Sequence, residues 1–130
     1  MGLVWVTALI GRSREEAMQV EFLVDTGSFY SAISPELRSR LGLPPGLPTE
    51  VMLADRRIVD AELTVAVLHI DGREAGVPVE IVDVPSPLLG VSALEALGMK
   101  VNPVTQELEA VTPFERPPMM KRIHLHARDP

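Results

Sequence analysis

The chain has 130 residues, 46% of them hydrophobic, enough for one folded core and short for two. Its formal net charge of -6, with basic residues scattered along the chain, excludes a protein that binds nucleic acid by neutralising its backbone. The absence of cysteine excludes a disulfide scaffold, a thiolate nucleophile and a Cys-ligated zinc.

The first segment, "MGLVWVTALIG", is apolar but has no basic n-region, is too short to span a bilayer and runs into the charged "RSREE". It reads as a strand, with no membrane segment implied and a cytoplasmic location as the default. Val6 stands where a myristoylation signal wants Ser or Thr. Val4, Val6, Ala8 and Ile10 alternate with Trp5, Thr7 and Leu9, and after "GRSREE" the run "AMQVEFLV" extends to Asp25, which is a hairpin pattern. "SPELRSRLGL" follows: Ser34 is a candidate N-cap, Pro35 stands at the first helical position, Leu37 and Leu41 share a face, and Gly42 is a stop signal for a short helix. "PPGLP" breaks the chain at 44–48.

From Thr49 to Val84 the pattern is β-rich, with Asp71-Gly72 as a hairpin turn. Several short strands in series predict an all-β, closed or sandwiched unit. In "PLLGVSALEALGMKVNP", Ser92-Ala93-Leu94-Glu95 fits a capping box, Leu94 and Leu97 supply an apolar face, and Gly98 ends the turn. "MKVNPVTQELEAV" reads as two strands around Asn102-Pro103. Beyond Pro113 the chain is proline-broken and basic, so the domain is expected over 1–112, with 113–130 a tail or interface arm. His124 and His126 alternate as metal ligands on a strand would. No carboxylate-histidine cluster accompanies them, and no metal or cofactor is expected. His69 reads as a partly buried structural side chain.

Two motifs carry the chemistry. "FLVDTGSFYSAIS" sends an apolar strand into Asp25-Thr26-Gly27-Ser28, and about sixty residues later Leu88-Leu89-Gly90 opens a short helix. The combination resembles the retropepsin-like aspartic proteases over roughly residues 3 to 112, in order and spacing. The resemblance implies a closed, all-β acid-protease barrel with one short helix after Leu-Leu-Gly, a flap hairpin near 51–60, and peptide-bond hydrolysis with Asp25 as the catalytic residue. Hydrolysis by water needs a base and an acid, and two carboxylates sharing one proton supply both, because like charges about 3 Å apart do not both ionise. This chain holds a single Asp-Thr-Gly, so the expected enzyme is a homodimer with Asp25 of each copy at the axis and a polypeptide substrate across it.

By the same resemblance, Thr26 bonds across the axis, Gly27 admits the substrate backbone, and Leu88 and Leu89 pack beneath the turn where Gly90 leaves room. A Ser28 hydroxyl donating to the carboxylate would favour its charged form and make the pH optimum more acidic than that of Ser28→Ala. Ala54, Asp55 and Arg56 at the flap, with Leu89, Gly90 and Val91, are expected to line the substrate cleft. Viral members commonly pair an Asp in this turn with an Arg after the helix-motif Gly. Phe29, Tyr30 and Val91 stand here instead, implying an apolar contact and apolar subsites. Many relatives place Gly at the flap tip, whereas "LADRRIVD" has none, leaving the turn to Asp55, Arg56 and Arg57. Two other readings compete: a catalytically silent module of this fold that dimerises or binds extended peptide by β-pairing, and a small β-barrel for an acyl or sugar ligand in which Asp25 merely caps a turn.

Overall fold

The computed structural model describes residues 3–111. The segment 112–130, with the Met119-Met120 pair and both tail histidines, lies outside the described residues. Alternating apolar residues form β1 (Trp5–Gly11) and β2 (Met18–Val24), an antiparallel hairpin whose loop is held by an Arg12–Glu16 ion pair at 2.6 Å. The chain continues through β3 (Ser31–Ile33), helix α1 (Pro35–Leu41) and β4 (Leu47–Met52). Then come β5 (Ile58–Ile70), β6 (Arg73–Ile81), β7 (Leu88–Leu89), helix α2 (Val91–Leu97), β8 (Met99–Asn102) and β9 (Glu107–Ala110).

Seven strands share one sheet in the order β1-β2-β7-β3-β6-β5-β4, and β8-β9 form a separate two-stranded sheet. At 13 residues, β5 is the spine, pairing with β6 from Glu62 to Ile70 and with β4 from Ile58 to Leu63. The β5–β6 turn is Asp71-Gly72, with φ of 50° and 77°, the positive values a two-residue I′ hairpin loop requires.

The closed all-β barrel with one helix is not what forms. The fold is mixed α/β with two helices, and its sheet is not closed into a barrel. The end of β5 meets β1 over only three residue pairs, Leu9 to Gly11 against His69 to Val67, and β4 keeps a free edge. The physical reason is local for the helices. Ser34 Oγ accepts from Leu37 N at 3.1 Å, Pro35 stands at the helix start, and Gly42 ends α1 at φ 70°, so seven residues suffice to bury Leu37 and Leu41. α2 likewise buries Ala93, Leu94 and Leu97. Both helices thereby become part of the core, which one sheet face supplies through Ile10, Phe22, Ile33, Leu68, Val79 and Leu89. Each such side chain removed from water contributes about 1.5–3 kcal/mol. On the opposite face a smaller cluster joins Ala32, Ala61 and Val82 to Val51, Val59 and Leu88. No helix among the described residues is long and apolar enough to cross a membrane.

Candidate active site

β2 ends at Val24 because β7 ends there too: Leu23 and Val24 pair in parallel with Leu88 and Leu89. Asp25 N then donates to Leu89 O at 2.9 Å, so the two motifs, far apart in sequence, meet at one hydrogen bond. The turn closes through Ser28 N donating to Asp25 O at 3.1 Å. The Asp25 carboxylate accepts from Gly27 N at 3.0 Å and makes no ion pair among the described residues, leaving acceptor capacity open at a partly exposed position. A Cβ on residue 27 would stand 3.3 Å from Asp25 Oδ1, tighter than ordinary contact, so glycine keeps this carboxylate unobstructed. Thr26 is exposed beside it, on the rim of a pocket of about 240 Å³ that also takes in Leu3, Val24 and Val101.

The Leu-Leu-Gly segment is fastened to the turn from below. Gly90 N donates to the buried Ser31 Oγ at 3.0 Å, Val91 N to Ser28 O and Ser92 N to Phe29 O, both at 2.8 Å. These bonds correct the expected capping box. α2 starts at Val91 with Gly90 as its N-cap and no side-chain cap bond, and the Ser92 hydroxyl is buried without a partner among the described residues. Carbonyls of the Asp25 turn satisfy the first helical N–H groups in place of a side chain. Gly90 is required by the same closeness: a Cβ there would collide with the Tyr30 carbonyl and lie 2.8 Å from Phe29 O. Leu89 is fully buried beneath, and Val91 is partly buried.

Ser28 departs from expectation. Its hydroxyl donates to Tyr30 O at 2.7 Å rather than to Asp25, so it braces the turn instead of biasing the carboxylate. Phe29 is 59% exposed, with its ring edge-on to Tyr30 at 5.0 Å, which leaves an apolar surface next to the turn.

β4 and β5 form the expected hairpin. Its turn runs from Leu53 to Arg57, closed by Leu53 N to Arg57 O at 2.8 Å and Arg56 N to Leu53 O at 2.9 Å. Without glycine, Arg56 takes the positive φ of 71°, and Asp55 does the bracing, accepting from Arg57 N at 3.1 Å and Arg57 Nε at 2.7 Å. The same two donors hold the Asp55 carboxyl below the usual carboxylate range. Ala54, Asp55 and Arg56 are all exposed at this tip, while Val51 and Val59, paired just behind the turn, pack with Ala32 and Leu88. Among the described residues no three His, Cys, Asp or Glu side chains gather as a metal site. Sequence reasoning overlooked Ser31 as the lock between the motifs; its place in "FYSAIS" was the available signal.

A family model described as aspartyl protease matches residues 11–105. No curated protein matches the chain. Among solved structures, the chain is similar to EIAV protease complexed with the inhibitor HBY-793, with a TM-score of 0.63 at 22% identity over 78% of this chain and 93% of that one. At that identity the likeness bears on the fold.

Proposed function

Because the chain belongs to the aspartyl protease family, as a retropepsin-like domain of the aspartic-type endopeptidase class, we propose that it works as a homodimer in which two Asp25 carboxylates share a proton. One carboxylate takes a proton from the attacking water while the other protonates the scissile carbonyl oxygen, and a polypeptide lies across the axis in extended form. The observation that carries this reading is the Asp25 turn, whose backbone is pinned by hydrogen bonds to Leu89 and Ser28 while its partly exposed carboxylate makes no ion pair among the described residues. A lone carboxylate lacks the second proton-transfer group the reaction needs, so the partner copy supplies it.

Two features favour a second copy at this face. Thr26 is exposed beside the pocket bounded by Leu3 and Val101, and Leu3 and Val104 on the surrounding surface are 69% and 89% exposed, apolar area that a twin subunit would cover. The ion pair of viral members is absent, since Phe29, Tyr30 and Val91 replace it, which favours apolar peptide side chains near the turn. Ala54, Asp55 and Arg56 would close over the substrate, with Leu89, Gly90 and Val91 behind the turn.

The test is digestion of denatured casein from pH 3 to 8, with and without a pepstatin-type inhibitor. Cleavage that falls by at least about a hundredfold in Asp25→Asn and is blocked by the inhibitor is the expected result. Cleavage that survives Asp25→Asn refutes the mechanism. A folded, dimeric protein that binds peptide but never cuts favours the silent module instead.

A further inference from the structure

A row of side chains in register crosses the sheet from β2 to β4. Leu23 pairs with Leu88, Leu88 with Ala32, Ala32 with Glu80, Glu80 with Leu63, and Leu63 with Leu47. Residues paired across strands direct their side chains to the same face, so these six share one, and five of them are apolar. Two positions away lie Pro78 in β6 and, just past its end, Val82, which clusters with Ala32. Glu80 is thus a carboxylate surrounded by apolar side chains, partly buried, with no hydrogen bond or ion pair among the described residues. Burial alone pushes its carboxyl above the ordinary range. A charge held in such a place without a partner costs free energy that a cation from outside would offset.

The face is the one the cleft uses. Leu88 precedes the residue whose carbonyl receives Asp25 N, and Ala32 and Val82 pack with Val51 and Val59 of the flap hairpin. Glu80 therefore stands on the wall between the Asp25 turn and the flap. β6 lies three strands from β2. At about 4.8 Å per strand this is roughly 14 Å, which an extended peptide rising about 3.3 Å per residue covers in about four residues.

We propose that Glu80 is a specificity-determining residue, its carboxylate pairing with the Lys or Arg side chain of a polypeptide substrate two to four residues from the scissile bond. The inference rests on the cleft reading above. The chain's net charge of -6 works in the same direction, drawing basic peptides toward it.

The experiment separates the inference from the catalytic claim by measuring binding in the full-length Asp25→Asn protein, where nothing is cut. A lysine is moved through each position of an apolar octapeptide, with norleucine at the same position as the neutral reference, and both are titrated calorimetrically. Expected is one position at which lysine binds about tenfold tighter than norleucine, a ratio that shrinks to within twofold when Glu80→Gln is added and at raised salt. Failure of lysine to exceed norleucine at any position, or an unchanged ratio in the Glu80→Gln background, overturns the proposal. If the ratio behaves as expected and the Asp25-intact protein still cuts no peptide, Glu80 keeps its role and the catalytic reading falls.

Discussion

Gly90 shows how little room the site has. Its N–H is held by Ser31 and its Cα faces the carbonyls of Phe29 and Tyr30, which are backbone and do not swing aside. Gly90→Ala is expected to lose about 1–3 kcal/mol of stability, read from urea midpoints, because a methyl must push the Asp25 turn away from α2. An unchanged midpoint would show that the turn yields freely. Ser28 makes the opposite case. With its hydroxyl on Tyr30 O, Ser28→Ala should leave the pH-rate profile in place while lowering stability by about 0.5–1.5 kcal/mol. A profile shifted by half a unit would return the hydroxyl to the carboxylate. Glu80 has its own signature. Folding moves it into apolar surroundings and raises its carboxyl, so its contribution is favourable below the unfolded value of about 4.3 and is lost as pH rises through the folded value. Glu80→Gln should therefore gain stability relative to the native chain between pH 4 and pH 7, and a difference that stays constant across that window contradicts the burial.

Among elements, the flap hairpin and α2 differ in what local sequence could say. Asp55 was legible as turn chemistry, since "ADRR" offers an Asx bond and no glycine, and the structure uses Asp55 on Arg57. Asp55→Ala should leave the melting temperature nearly unchanged, as the turn is exposed, yet weaken peptide binding by loosening the tip; unaltered KM and kcat would detach the tip from the cleft. α1 was equally legible, with Ser34, Pro35 and Gly42 performing the cap, start and stop their types favour. α2 was not. Ser92 and Glu95 have capping-box spacing, but the N–H groups at that helix end are taken by carbonyls about sixty residues earlier, a partner no local window contains. Barrel closure failed for a related reason. Alternation states which face of a strand is apolar and not which strand lies beside it, and β1 meets β5 over only three residue pairs.

For the whole molecule the decisive quantity is the number of copies. If Asp25 acts only across a two-fold axis, specific activity must rise with protein concentration through the dimer dissociation constant, and mass measured over the same range must double in step. If Thr26 bonds across that axis, Thr26→Ala should raise the dissociation constant by about five- to 150-fold, because symmetry counts the lost hydrogen bond twice at about 0.5–1.5 kcal/mol each. Full activity from a strict monomer contradicts the two-copy mechanism.

Residues adjacent in the chain determined by themselves the Asp-Thr-Gly turn, the strand that delivers it, the Asp71-Gly72 hairpin and the α1 caps, because each depends on backbone preferences and side-chain reach within a few positions. Only the tertiary structure decided that Ser31 fastens Gly90 to the Asp25 turn, that α2 is capped by that turn, that the sheet stays open at β4, and that Glu80 stands in a row of apolar neighbours. Those outcomes depend on which distant strands come to lie side by side, and that is settled by how the whole chain buries its apolar faces at once.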